Sequence, residues 1–315
     1  MHAFPDAAAN PAIPKLPEPN KRPGVHYAVT RDGVELPVVD ITHPAFALSI
    51  TDSEQKAQVE KFLRQGIPLA ILPKPLRELV LRFLPRESIL AQGIQQARST
   101  FMSGMQTYLL KLGPQMLGSA YTKPIDRQIA AALPSYCVRL RLQDMAQLMA
   151  ETLLPLLRTN PDRALRFTNI AGGPAMDSLN ALILLNQHQP GILDQCISID
   201  VLDLDDTGPA FGAAALAALS QPGARLHGLR ITLRHVLYDW TGAEELGKLL
   251  GEAQADGPLM ICSSEGGLFE YGADDAIESN LKVLRAQPQV VAVVGSVTRA
   301  DEPVQQPFSD QVVLT

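Results

Sequence analysis

The stretch LRFTNIAGGPAMDSLNALILLNQHQPGILDQCISIDVLDLDD, residues 165–206, decides the architecture. Leu165–Ala171 reads as a buried strand that Gly172-Gly173 ends. Met176–His188 is an apolar helical run, and Cys196–Leu204 reads as a second strand. A strand, a helix and a strand in succession are the unit of a parallel sheet, because a parallel return needs a crossover. The same rhythm continues toward the C-terminus. Helices are expected over Gly212–Leu219, Ala243–Gln254 and Asp274–Arg285, and strands over Arg230–Leu237, Leu259–Ser263 and Val290–Val297. Five strands alternating with helices predict an α/β domain of Rossmann-like type over 161–315, its parallel sheet covered on both faces.

Upstream the rhythm differs. Residues 1–25 carry Pro5, Pro11, Pro14, Pro17, Pro19 and Pro23 and read as an extended, flexible arm. HYAVTRDGVELPVVDI follows, with Asp32-Gly33 between two apolar runs as a hairpin signal. From Asp52 to Asn160 apolar residues recur at spacings of three and four, the mark of amphipathic helices. In the long segment Ile125–Leu157, Pro134 is expected to break or kink the helix. Thr159-Asn160-Pro161 reads as the hinge, making 26–160 a hairpin and helical cap.

The chain has 315 residues, 46% of them hydrophobic and 19% charged, which excludes wholesale disorder. A net charge of −6 without a basic cluster argues against a nucleic-acid partner. Aromatics at 5%, with one tryptophan, argue against a stacking platform for single strands. No apolar run reaches the roughly 18–20 residues that span a bilayer, so no membrane partner is expected. The N-terminus lacks the basic and apolar regions of a secretory signal, and the expected compartment is the cytoplasm. Cys137, Cys196 and Cys262 form no zinc or redox motif and are expected to be buried thiols. Histidines and cysteines never cluster at metal-ligand spacing.

In open parallel sheets ligands sit beyond the carboxyl ends of the strands. There the first strand presents Asn169 and the loop Gly172-Gly173, where backbone can approach a ligand closely before a helix N-terminus. The second ends in Asp203-Leu204-Asp205-Asp206, and Asp203, first at the strand's end, is suited to a ribose diol. The third is followed by Tyr238-Asp239-Trp240, a carboxylate and a flat ring suited to an adenine amine and its face. The fourth is followed by Ser263-Ser264-Glu265-Gly266-Gly267. Four strand ends thus supply groups for one adenosine-like ligand. Each also has a plainer reading: a tight turn for the glycines, a helix N-cap for one aspartate, core packing for Trp240, a turn for Glu265.

Residues 165–299 resemble the class I S-adenosylmethionine-dependent methyltransferase superfamily. FTNIAGGPAMDS is similar to its first motif, VLDLDD to its ribose-binding acid, LYDW to its adenine-binding acid and SSEGG to its motif after the fourth strand. The resemblance implies S-adenosylmethionine as cofactor, held by Asn169, Gly172, Gly173, Asp203, Asp239, Trp240 and Glu265. It makes the helical half a cap over a small-molecule substrate, with Ser99–Gly113 lining the pocket. Three features depart from the pattern. Asn169 stands where the superfamily has an acid, the loop is GGPA, and Asp203 lies thirty positions after Gly173. The tail after the fifth strand is too short for a further helix and closing hairpin, so those strands are missing or come from the N-terminal hairpin.

The reaction implied is methyl transfer to a small molecule, in which protein contributes orientation and desolvation to an already activated cofactor. Asn169, Tyr108 and Tyr136 are the catalytic candidates, with Tyr121, Tyr238 and His235 as further groups able to move a proton. His235 reads first as a strand-surface or core histidine and only second as a base. Arg139 and Arg141 read either as a carboxylate clamp or as solvated charges. The neutral Asn169 suggests a second reaction. Without an acid to hold the cofactor's amino group as an ammonium, the free amine can attack its own γ-carbon. That closes a four-membered ring and expels methylthioadenosine, the chemistry of azetidine-2-carboxylate synthases. A dinucleotide-dependent oxidoreductase and a non-catalytic adenosine-binding protein are the remaining readings.

Overall fold

The computed structural model describes residues 21–49, 53–54, 56–57, 60, 88, 90–92, 102–118, 123–251 and 257–297. A two-stranded antiparallel hairpin, β1 (Tyr27–Val29) and β2 (Glu35–Pro37), comes first. Gly33 turns it with φ +86°, a conformation open to glycine at no steric cost. Helical residues follow at 53–54, 56–57, 60 and 90–92, and then come α1 (Gly104–Leu112), α2 (Pro124–Ala131) and α3 (Leu133–Thr159). The break expected at Pro134 falls at Ala132, which is extended, so that the proline occupies the first turn of α3, where its missing N–H costs nothing. Asn160 caps α3 and marks the change of rhythm.

The remainder alternates: β3 (Leu165–Ile170), α4 (Met176–His188), β4 (Ile197–Asp203), α5 (Thr207–Leu219), β5 (Ile231–Leu237), α6 (Ala243–Leu250), β6 (Leu259–Glu265), α7 (Leu268–Tyr271), α8 (Asp274–Arg285) and β7 (Val290–Ser296). The five strands form one all-parallel sheet in the order β5-β4-β3-β6-β7. This is a Rossmann-like α/β arrangement. Two helix boundaries differ from expectation. α5 begins at Thr207 rather than Gly212, because Gly208 and Gly212 are inside the helix for close packing rather than ahead of it. α6 stops at Leu250, where Gly251 turns the chain with φ +83°, and Gln254 lies outside the described residues.

Strand alternation sorts the sheet's two faces. Leu165, Phe167, Ile197, Ile199, Val201, Leu259 and Ile261 belong to a core shared with α3, α4, α5 and the hairpin. Ile170, Leu202, Met260 and Cys262 belong to a second cluster with Leu246, Leu250 and Leu284 of α6 and α8. Each fully buried Leu or Phe is worth about 1.5–3 kcal/mol. The first core runs without interruption from cap residues Tyr108, Leu112 and Met149 into Leu179 and Leu182, so 26–160 and 161–315 are not separately cored.

The hairpin forms a sheet of its own and packs on α5. It therefore does not extend the parallel sheet, which sets aside the second of the two sequence expectations for the further strands. Its exit strand is held from two sides. Tyr108 of α1 donates to the Pro37 carbonyl and accepts from the Val39 N–H, while Asn180 of α4 bonds both Val39 and Ile41. Those bonds use up the backbone groups that would otherwise pair with a sheet edge. No helix among the described residues is long and apolar enough to cross a membrane.

Candidate functional site

The chain runs from β3 outward through β4 to β5, then returns across β3 to lay down β6 and β7. The connections therefore reverse between β3 and β6, and such a switch point opens a crevice beyond the carboxyl ends. Residues of equal parity share a face. Asn169 is the direct register partner of Ser263, and Asp203 and Glu265 point to the same cap-facing side. Four residues from three strands are thereby gathered under α1 and α4.

Asn169 is fully buried, and its amide is used within the protein. Its Nδ2 donates to Asp177 Oδ1 and to Ser263 Oγ, both at 2.8 Å, and its Oδ1 accepts from Ser178 Oγ at 3.0 Å. Ser263 in turn donates to Asp177 Oδ2 at 2.8 Å. The carboxylate absent from the end of β3 is thus supplied from the first turn of α4. Burial pushes the Asp177 carboxyl upward, against the bonds from Ser263 and Ser178, the Lys111 charge and the bond from Asn169. Sequence reasoning missed Asp177. Its signal was an acid in the first turn of an otherwise apolar helix behind a glycine loop.

Glu265 meets Lys111 of α1 at 2.8 Å, each side chain only 7% exposed. Burial again raises the acid, with Lys111 opposing and the nearby Asp177 adding to the rise. Lys111 was not anticipated either, although a lysine ending a helical run as apolar as MQTYLLKL is unusual. Arg141 of α3 lies beside this pair. It approaches Glu270 at 3.7 Å, and its guanidinium occupies the space that a Cβ on Gly266 would need.

The glycine loop sits between two helices. A Cβ on Gly173 would lie 2.9 Å from the Cα of Gly104, and one on Gly208 would lie 2.8 Å from the Cα of Gly173. Gly172 has no room for a Cβ because Asn169 Cβ would be 2.4 Å away. Backbone crossing accounts for these glycines without a ligand, which is the plainer of the two sequence readings. The Gly173 N–H still points to the second strand end, donating to Asp203 Oδ2 at 3.0 Å. Asp203 Oδ1 accepts from the Asp205 N–H at 3.0 Å. Burial holds the Asp203 carboxyl above the usual range, and these two backbone bonds only partly offset it.

No family model matches this chain, and no curated protein matches it.

At the ends of the neighbouring strands β4 and β5, Leu204 and Leu237 are 63% and 70% exposed, and Leu237 is the register partner of Asp203. Asp239 is exposed and accepts from the Thr241 N–H and hydroxyl through Oδ1. Trp240 packs against the cluster of Ile170, Tyr238 and Leu246, so its ring serves the core. Its carbonyl accepts from Asn280.

Of the proton-moving candidates, Tyr108 has its hydroxyl engaged within the protein. It is completely buried, stacks on Phe211 at 4.7 Å, and has its hydroxyl committed to Pro37 and Val39, with burial driving its pKa up. It is a structural anchor. Tyr238 donates to Asn280 at 2.6 Å, and burial pushes its pKa to about 12. His235 gives its Nε2 proton to the Asp203 carbonyl at 2.8 Å, since a carbonyl can only accept. Tyr121 lies outside the described residues, as do the first three residues of Ser99–Gly113. Tyr136 stands apart: its hydroxyl is buried and has no hydrogen-bond partner. Of the cysteines only Cys262 is buried, correcting the expectation for Cys137 and Cys196, which lie on α3 and at the amino end of the sheet. Among the described residues no group of three or more His, Cys, Asp or Glu could hold a metal ion.

Proposed function

We propose that this chain is an S-adenosylmethionine-using enzyme acting on a small molecule, with methyl transfer as its reaction. The observation that carries the reading is the pairing of Asp203 at the end of β4 with the glycine-loop N–H of Gly173 at the end of β3. Asp203 stands partly buried at the carboxyl end of its strand, the place where a ribose diol would be received. The residues fit the group in two further respects. Leu204 and Leu237 offer exposed apolar side chains for a purine face, and Asp239 retains a carboxylate oxygen for an exocyclic amine.

The cofactor supplies an activated sulfonium carbon, so the protein's task is positioning and exclusion of water. Asp203 and the β3 loop orient the nucleoside. The Asn169–Asp177–Ser263 network makes the floor rigid, since every member is satisfied by another. Helix α1 closes over it through Gly104 at one end and Lys111 at the other.

Cyclisation of the cofactor to azetidine-2-carboxylate is the second reading, and one observation favours it. Tyr108, Tyr238 and His235 are all engaged internally, which leaves no positioned base among them for an external acceptor. Asp177 weighs the other way, because it returns a carboxylate to the place where Asn169 is neutral. Incubation of the purified protein with S-adenosylmethionine alone, followed by mass spectrometry, separates the readings. Intact cofactor with calorimetric binding supports a methyltransferase awaiting its acceptor. Methylthioadenosine with a cyclic amino acid, above a protein-free control, establishes cyclisation instead. Absence of binding refutes both.

Asp203→Ala is expected to weaken cofactor affinity by about ten- to a hundredfold, the size of one or two hydrogen bonds to a charged group. Calorimetry on a variant with an unchanged melting curve checks it. Unchanged affinity would remove Asp203 from the ribose site.

A further inference from the structure

The parallel sheet has two edges, and the sequence treats them differently. Edge strand β5 presents Thr232 and Arg234 to solvent, the arginine side chain 66% exposed. A charge on an edge strand discourages pairing with another chain. The opposite edge, β7, reads VVAVVGS and carries neither charge nor proline. Its register irregularity against β6 falls at the start, and from Ala292 to Ser296 the pairing is regular. Among the described residues no strand pairs with its outer side.

Exposed apolar side chains gather along the same border. Seven large ones are exposed among the described residues, and two of these, Leu204 and Leu237, belong to the crevice. Four others, Leu148, Leu281, Val293 and Val297, lie on β7, just past its end, or on the helices α3 and α8 packed against it. Val293 is the register partner of Cys262 and therefore faces the α8 side of the sheet. Leu281 looks toward the same border. On α8, Val283 meets α6, its Cγ1 3.7 Å from where a Cβ on Gly247 would stand. Leu281 comes two residues earlier, about 200° around the helix, and so lies on the flank away from α6. Because α6 sits over β3 and β4, that flank looks toward the outer side of β7.

A contiguous apolar border of this kind marks a contact surface. A second copy of the chain fits it. Two β7 strands brought together about a two-fold axis normal to the sheet pair antiparallel, an isologous contact in which the edge is its own complement. The same axis sets the two α8 helices antiparallel, with Leu281 between them. α8 has Asp274 and Asp275 in its first turn and Lys282 and Arg285 in its last. These charges suit the helix dipole within one chain, and across the axis they set each acidic end against a basic one.

We propose that the chain is a homodimer joined through β7 and α8, its two five-stranded sheets running on as one. Since the strands meet antiparallel, the two crevices open in opposite directions.

Sedimentation of the full chain at micromolar concentration is expected to give twice the chain's mass, with a melting temperature that rises with protein concentration. Val293→Lys, which sets a charge on the edge, should give a monomer whose melting temperature no longer depends on concentration. Two double variants read the α8 contact. Asp274→Lys with Asp275→Lys makes both ends of the helix basic, and Lys282→Glu with Arg285→Glu makes both acidic. Each alone should associate about tenfold more weakly than wild type, and an equimolar mixture should recover the lost strength as a mixed dimer. A wild-type chain that sediments as a monomer overturns the proposal. A dimer that appears only after removal of residues 298–315 also overturns it, and assigns the edge to that segment. A dimer that survives Val293→Lys and both double variants uses another surface, and overturns it equally.

Discussion

Asp200→Ala is expected to destabilise the protein by about 3–5 kcal/mol, the cost of leaving one member of a buried ion pair alone. Asp200 is 1% exposed in the centre of β4 and joins three neighbouring strands. Arg166 of β3 donates to its Oδ2 at 2.7 Å, and Arg234 of β5 reaches the same oxygen at 3.0 Å. The cost falls on Arg166, whose side chain is 16% exposed, and much less on Arg234 at 66%. Arg166 also donates to the Leu249 and Leu250 carbonyls at the end of α6, where a cation offsets the helix dipole. Losing Asp200 therefore loosens both the sheet and the helix covering it. Urea denaturation checks the prediction, and a loss under about 1 kcal/mol would mean that water reaches this network.

The same pair sets an acid limit. Burial alone would raise the Asp200 carboxyl, but the bonds and charges of Arg234 and Arg166 outweigh it and hold the pKa below its ordinary value. A group depressed in the folded state stabilises above its unfolded pKa, roughly 3.9 for aspartate, and loses that contribution as pH falls through the folded value. Wild-type stability should therefore drop below about pH 4, and Asp200→Ala should flatten that part of the profile.

Lys111→Met should cost a similar 3–5 kcal/mol or so, for it strands Glu265 in a site where both partners are almost wholly buried. Here the acid is already raised, so the sign is opposite. The folded protein holds its proton more tightly, and stability falls as pH rises from the unfolded value, about 4.3 for glutamate, to the folded one. Without Lys111 that window should extend to higher pH. Pairing the change with Glu265→Gln should restore much of the loss, because a neutral amide no longer needs a counter-charge. If the double variant is no more stable than Lys111→Met, the damage comes from α1 packing rather than from the stranded charge.

How much of this was legible beforehand varies by element, for physical reasons. The alternation of strands and helices from Leu165 to Ser296 is written in local periodicity, and α4 and α8 fall at their expected bounds. The hairpin turn at Asp32-Gly33 was equally local. Helix ends at Thr207 and Leu250 were less so, since a glycine reads alike whether it stops a helix or lets one pack closely.

The strand-end residues Asn169, Asp203, Asp239 and Glu265 could be named from position alone, because a parallel sheet delivers its carboxyl ends to one edge. What each does there is a matter of neighbours far away in the chain. Asn169 became the hub of a network only when Ser263, 94 residues on, arrived as its register partner. Lys111 and Glu265 are 154 residues apart. Tyr108 looked like any cap tyrosine until the fold wrapped Pro37–Val39 around its hydroxyl.

The sequence by itself thus determined the class of fold and the edge where chemistry is expected, both of which follow from short-range periodicity and from the geometry of strands. Only the tertiary structure decided which charges and polar groups are paired. Burial and pairing are set by contacts between distant segments, and they separate Tyr136, whose buried hydroxyl has no hydrogen-bond partner, from Tyr108, whose hydroxyl has two.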